Sequence, residues 1–244
     1  MMTMMIFAGI VIPIIAAAIL LMLRILDNEL DVLELENVKV RLEKELQQSE
    51  YNQLSEKIQP HFLFNSLNAF MSLSRLGRHQ DMIQGMEQFS MFLRYRYQER
   101  GNLVPFRSEL EHTRHYLAIQ QLRFGPRLHI SYDLDPIAIG SLIPPFTLQT
   151  LVENAFKHGL EQTPGDKHCR ITLLRESNWV TLKVIDNGGG AIAPNHAGGI
   201  GLSNLRRRFA LLFDLTSSLT LEKNAEGATE AAVSWPYVPE GDIQ

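Results

Sequence analysis

Residues 27–58 contain neither glycine nor proline and are rich in Glu, Leu, Lys and Gln, and the run is then broken by Pro60. Proline has no N–H, and its ring clashes with the carbonyl four residues back, so a helix through this stretch must kink or restart there. Within the run, Leu26, Leu30, Leu33, Asn37, Val40, Lys44, Gln47, Tyr51, Leu54 and Ile58 step by alternating fours and threes. That is the seam of a parallel dimeric coil, apolar at both ends and polar in the middle. Leu35, Val38, Leu42 and Leu46 form a competing series, and a single solvated helix is the plainer reading. Beyond the break, His61, Asn65, Asn68, Ser72 and Arg75 make one polar stripe, while Phe62, Leu63, Leu67, Phe70 and Leu73 cover the rest of the circumference. A second helix, roughly 82–100, carries Ile83, Met86, Phe89, Leu93 and Tyr97 on one face. The two read as a helical hairpin whose apolar faces pair in a four-helix homodimer.

Upstream, Met4 to Leu23 is free of charge and Arg24 is the first basic residue. About 20 apolar residues at ~1.5 Å each reach roughly 30 Å, the hydrocarbon thickness of a bilayer. A transmembrane helix over 4–26 is expected. Ala16-Ala17-Ala18 resembles a signal-peptide cleavage site, but a basic leader is missing and the apolar run is too long. Arg24, Lys39, Arg41 and Lys44 all follow the charge-free run, which places the rest of the chain in the cytoplasm. With almost nothing before the span, no sensing domain on the outer side is expected.

The formal charge of −4 gives no reason to expect direct nucleic-acid binding, which needs a clustered basic surface. The single cysteine, Cys169, excludes an internal disulfide and reads as a small apolar strand residue.

Further along, Ser108-Glu109-Leu110-Glu111 has the form of a capping box, opening a helix that ends at Gly125-Pro126. Leu128, Ile130, Tyr132 and Leu134 alternate as a half-buried strand. Pro144-Pro145 open a helix over 146–159, two strands follow at about 169–176 and 179–186, and a helix runs from Ile200 to about Phe213. Segments 217–223 and 228–235 form a closing hairpin around Gly227. Helices mixed with sequential strands predict an α+β chain ending in a two-layer α/β sandwich.

Three segments of this second half carry polar chemistry. In helix 146–159, Leu148, Val152, Ala155 and Phe156 face the sheet, while Glu153 with Lys157 and Asn154 with His158 pair at i, i+4 on the other surface. An exposed salt bridge would explain such a cluster, yet Asn is a poor helix-interior residue, and its amide oxygen suits Mg²⁺. Asp186-Asn187-Gly188-Gly189-Gly190 follows an apolar strand. It reads either as a tight turn or as a carboxylate with glycines that let a planar ring approach, which suits an adenine amino group. Gly198-Gly199-Ile200-Gly201-Leu202 runs into a helix whose N–H groups can face an anion. It is neither a P-loop nor a dinucleotide fingerprint.

In their order, these blocks resemble the LytS/YehU-type sensor histidine kinases. The likeness covers roughly residues 50–236: Gln59-Pro60-His61-Phe62-Leu63-Phe64-Asn65, Leu93-Arg94-Tyr95, Tyr116-Leu117-Ala118-Ile119-Gln120 to Arg123-Phe124, Pro144-Pro145 to Gln149, and the asparagine and glycine boxes. The resemblance implies a dimerisation and phosphoacceptor part at 59–126 and an ATP-binding domain of the Bergerat fold at 127–238. It implies ATP and Mg²⁺ as cofactors, with His61 the phosphoacceptor and Asn154 the Mg²⁺ ligand. Glu153, Lys157 and His158 would line the phosphates and Asp186 would hold adenine. Gly188, Gly190, Gly199 and Gly201 would form a lid, with Leu202 packed beside it. Phe62 leaves His61 no adjacent base, so Asn65 is expected to orient the imidazole. Gly227-Ala228-Thr229 departs from the usual Gly-Thr, which would displace Thr229. The implied activity is autophosphorylation of His61 and transfer to an aspartate of a response regulator, often one with a LytTR-type DNA-binding domain, from a single-pass protein of the bacterial inner membrane. The alternative is an inactive membrane-bound dimer of the same family that binds nucleotide or a regulator.

Overall fold

The computed structural model describes residue 22, residues 60–96, 101–189, 200–213 and 217–241. The chain divides into two compact units, 1–53 and 54–244. The expected span at 4–26 (Met22 apart, which is helical) and the expected coil at 27–58 lie outside the described residues. Among the described residues no helix is long and apolar enough to cross a membrane.

Helix α1 covers Pro60–Arg75. It buries Phe62, Ser66, Phe70 and Leu73, with the Ser66 hydroxyl returned to the Phe62 carbonyl at 2.8 Å. Leu67 is not part of the buried face: it is half exposed, as are Phe64 and Met71. Gly77, at φ 71°, turns the chain into α2, His79–Arg96. The buried line of α2 is Gly85, Phe89 and Phe92, whereas the expected Ile83 and Met86 stand about half exposed. The reason is a three-helix junction. A Cβ on Gly85 would meet Leu122 Cδ1 at 2.5 Å and Phe70 Cε1 at 2.8 Å, so only glycine lets the helices approach there.

Strand β1, Val104–Pro105, leads into α3, Phe106–Phe124. The capping box at Ser108–Glu111 is not used. Pro105 is the N-cap, with no side-chain cap, and the Phe106 N–H is tied instead to the Ser141 carbonyl at 2.8 Å. Gly125, at φ 63°, ends the helix as expected. A five-stranded sheet follows, built from β2 (Leu128–Leu134), β4 (Lys167–Glu176), β5 (Trp179–Asp186), β6 (Ser218–Lys223) and β7 (Thr229–Pro236). The short β3, Leu142–Ile143, pairs with β1. The sheet order is β2-β4-β5-β7-β6, with β2 parallel to β4 and every other pair antiparallel.

Helix α4, Thr147–Ala155, and α5, Ile200–Phe213, pack on this sheet. Leu148, Val152, Ala155 and Phe156 are all buried, the face that their spacing predicts. One core runs from Phe62 and Phe92 of the hairpin through Tyr116 of α3 to Val184, Val233 and Trp235 of the sheet.

Candidate functional site

Asp186 ends β5, the middle strand, with partners on both sides: Cys169 of β4 and Thr229 of β7. Its carboxylate is buried, and Oδ1 accepts the Gly188 N–H at 2.9 Å. Burial pushes its pKa up to about 6, against the lowering pull of that N–H and of Lys223. Burial, and then Asp186 itself, pushes the Cys169 thiol up to about 12, so this cysteine is an inert core residue. Gly159 lies directly over Asp186: a Cβ there would come inside contact distance of Oδ1 and within 2.9 Å of Cγ. A Cβ on Gly188 would strike the Gly159 backbone. Two glycines and a carboxylate thus form one close-packed step.

Its surroundings are tied down by side chains. Asn187 serves the turn, accepting the His168 N–H at 2.8 Å and donating to the Asp166 carbonyl at 2.9 Å. Thr163 accepts the Gly189 N–H at 2.9 Å and donates to the Gly159 carbonyl at 3.0 Å. Thr229 opens β7. It faces Asp186 across the β5–β7 ladder, and its hydroxyl accepts from Lys223 Nζ, which also donates to the Gly188 carbonyl, both at 2.9 Å.

On α4 the helix widens into a π turn, Phe156–Leu160, with the Glu161 N–H bonded to the Phe156 carbonyl. The π turn falls within both expected i, i+4 pairs, Glu153 with Lys157 and Asn154 with His158. Glu153 accepts from Gln149 Nε2 at 2.5 Å. Lys157 and His158 are exposed, and burial, then Lys157, lowers the His158 pKa. Asn154 is half-buried, one residue beyond Glu153. Among the described residues no group of three acidic, His or Cys side chains could hold a metal. A single amide oxygen still suits Mg²⁺, which keeps water and takes most of its other ligands from nucleotide phosphates. Gly201 is exposed beside Thr150, and Leu202 is buried. Gly190 and Gly199 lie outside the described residues.

His61 is 59% exposed in the first turn of α1. Asn65 Nδ2 lies 3.0 Å from its Nε2 and 3.2 Å from its Nδ1. On the other side Glu161 Oε2 is 3.7 Å from Nδ1, and Glu161 Oε1 is held by Arg123 at 2.5 Å. This suits a proton on Nδ1, facing the carboxylate, and a lone pair on Nε2 that accepts from Asn65. Asn65, Asn68 and Ser72 of the stripe, with Arg78 and Arg123, line a cleft of about 350 Å³ between α1 and α3. Sequence reasoning expected no base near His61; Glu161, Arg123 and Gln149 are the residues it missed. Only the position of Gln149, four before Glu153, offered a signal.

A family profile described as Histidine kinase matches residues 49–128. The sensor protein LytS of Staphylococcus saprophyticus is 29% identical over 205 residues, 79% of this chain and 34% of that protein. The sensor histidine kinase YesM of Bacillus subtilis is 31% identical over 207 residues, 82% of this chain and 36% of that protein. The chain spans about a third of the length of these curated relatives. A solved histidine kinase domain of the Erythrobacter litoralis EL346 blue-light activated kinase overlays with a TM-score of 0.44 at 13% identity, covering 80% of this chain and 96% of that one.

Proposed function

The chain belongs to the LytS/YehU-type sensor histidine kinase family, and from that premise we propose that it binds ATP at Asp186 and phosphorylates His61. The observation that carries this reading is the pairing, in one compact unit, of an exposed imidazole with the buried Asp186–Gly188–Gly159 step. The carboxylate accepts the adenine amino group, and the glycines leave room for the ring. Asn154 would hold Mg²⁺, which would supply positive charge as negative charge shifts to the leaving oxygen. Glu153, Lys157 and His158 border the phosphates.

In the transfer step, a ring nitrogen of His61 forms the N–P bond. The bond from Pγ to the bridging oxygen breaks, and its electron pair leaves on ADP. The proton on the other ring nitrogen is then lost. An imidazole, with an ordinary pKa of about 6.5, is largely neutral and nucleophilic at cytoplasmic pH. Asn65 orients the ring but cannot take that proton. We read the described conformation as a resting one: Glu161, which faces His61, lies beyond the π turn that follows the Asn154 helix, so the imidazole leaves Glu161 to reach phosphates held at Asn154.

We assign residues 59–126 to dimerisation and phosphoacceptance and 127–238 to nucleotide binding. The exposed Phe64, Leu67 and Met71 of α1 recur at i, i+3 and i+7 and give a second copy its contact. The phosphoryl group passes on to an aspartate of a response regulator, one of LytTR type by family likeness, and residues 4–26 anchor the chain in the membrane. The test is incubation with γ-labelled ATP. Acid-labile label that is lost in His61→Gln and moves to a receiver domain is expected; undiminished labelling of His61→Gln refutes the assignment. A chain that binds ATP and is never labelled is the inactive regulatory dimer instead.

A further inference from the structure

We propose that His112 and Gln149 form a hydrogen-bonded strut that sets the position of the Glu153 carboxylate and joins it to the second helix of the hairpin. The inference rests on the kinase reading above and adds two positioning residues to it. His112 and Gln149 are both buried, at 0% and 1% exposure. Gln149 Nε2 lies 2.5 Å from Glu153 Oε1, and Gln149 Oε1 lies 2.5 Å from His112 Nε2.

The chemistry fixes the direction of each bond. A carboxylate only accepts, so the amide must turn its NH₂ toward Glu153. That leaves the amide oxygen, also only an acceptor, facing His112, so His112 must carry its proton on Nε2. The order is therefore His112 Nε2–H to Gln149 Oε1, then Gln149 Nε2–H to Glu153 Oε1. Reversing either bond sets two acceptors or two donors against each other.

The far end of the strut is gripped by α2. The His112 ring stacks on Tyr95, with centroids 3.9 Å apart at 11°, and on Phe92, at 5.0 Å and 9°. The Tyr95 hydroxyl donates to Glu109 Oε1 at 3.0 Å, and the same oxygen accepts the Phe146 N–H at 2.7 Å. Phe146, at φ 63°, is the N-cap of α4. One buried carboxylate thus holds the start of the nucleotide helix, and one buried imidazole holds the side chain that faces the phosphates.

A purely structural network would lose stability on mutation without touching one kinetic constant selectively. The test uses the full chain and measures initial autophosphorylation rates across ATP concentrations, beside thermal melts. His112→Phe keeps an aromatic ring for Tyr95 and Phe92 and removes the donor; Gln149→Met keeps the volume and removes both hydrogen bonds. His112→Phe, which loses a bond to a neutral amide, is expected to lower kcat about two- to tenfold, and Gln149→Met, which also loses the bond to the carboxylate, about tenfold or more, with the KM for ATP within about twofold in both. His112→Gln, which keeps a donor, should recover most of the rate. Wild-type kcat in His112→Phe, a His112→Gln no better than His112→Phe, or a KM that rises as kcat falls would overturn the strut. If His112→Phe does not fold, the kcat and KM of Gln149→Met decide. Failure of the strut leaves His61 labelled in the wild type, whereas failure of the kinase reading leaves the wild type unlabelled.

Discussion

Replacing Gly159 by alanine tests the adenine step at its tightest point. On helix propensity alone the change should help, since alanine is favoured over glycine by about 0.8–1 kcal/mol in a helix. Gly159 has no positive φ that would argue otherwise, and it sits in the continuation of α4. The geometry argues the opposite. The new methyl would press on Asp186 Oδ1 and lie 2.9 Å from its Cγ. Asp186 has little room to retreat, because its strand is paired on both sides and Oδ1 already accepts the Gly188 N–H at 2.9 Å. Overpacking of this kind costs about 1–3 kcal/mol, so the net loss of stability is up to about 2 kcal/mol. For a domain of this size that lowers Tm by up to roughly 8 °C.

The larger effect falls on the nucleotide. Misaligning a hydrogen bond to a charged acceptor costs about 1.5–3 kcal/mol, or roughly 10- to 150-fold in Kd. Titration with a fluorescent ATP analogue, together with thermal melts, reads both quantities. Gly140→Ala is the control, since a Cβ there meets nothing within 4 Å. A Gly159→Ala protein that binds ATP like the wild type and melts no lower would refute the assignment of Asp186 and Gly159 to the adenine step.

Asp186 also gives a pH signature. Its folded pKa of about 6 exceeds the ordinary 3.8, so the stabilising contribution is full below about pH 4 and is lost as pH rises through 6. Relative to Asp186→Asn, the nucleotide-free protein should gain about 2 kcal/mol between pH 7 and 4 in denaturant titrations; a flat difference refutes the buried carboxylate. Glu161→Gln should free His61 from its resting contact and raise the initial autophosphorylation rate about two- to fivefold, because a pair so exposed is worth under about 1 kcal/mol. Slower labelling would instead give Glu161 a part in transfer. Leu67→Glu with Met71→Glu should yield a folded monomer in sedimentation while ATP binding persists. A dimer unaffected by both charges would place the interface elsewhere.

Local periodicity carried most of the fold. The helix at Ile200–Phe213, the strand ending at Asp186 and the hairpin around Gly227 are all patterns local in sequence, and the structure has them where the spacing puts them. What could not be read depends on distant partners. The start of α3 is decided by the Ser141 carbonyl, so an apparently complete capping box is passed over. Gly85 fixes the buried face of α2 only because Phe70 and Leu122 arrive from other helices. The π turn has no signature in an i, i+4 pattern. Asp186 was legible because a carboxylate at the end of an apolar strand is unusual in itself. Glu161 was not, because nothing near it in sequence resembles an imidazole site.

Phe62, which denies His61 a neighbouring acid, has a role of its own in the packing. Its ring lies 4.7 Å from Tyr116 and 5.0 Å from Phe92, and Tyr116 lies 5.8 Å from Phe156 at the head of the π turn. A run of packed rings therefore connects the residue beside His61 to the helix that carries Asn154. Burying such a ring contributes about 1.5–3 kcal/mol, more than the exposed contact between His61 and Glu161 can. Rotation of the imidazole away from Glu161 is accordingly the easy motion, and a swing of α1 about Pro60 the hard one. Drawing Phe62 out of this run costs about 1.5–3 kcal/mol. Repositioning His61 above an unmoved Phe62 needs far less, and the aromatic packing favours that route.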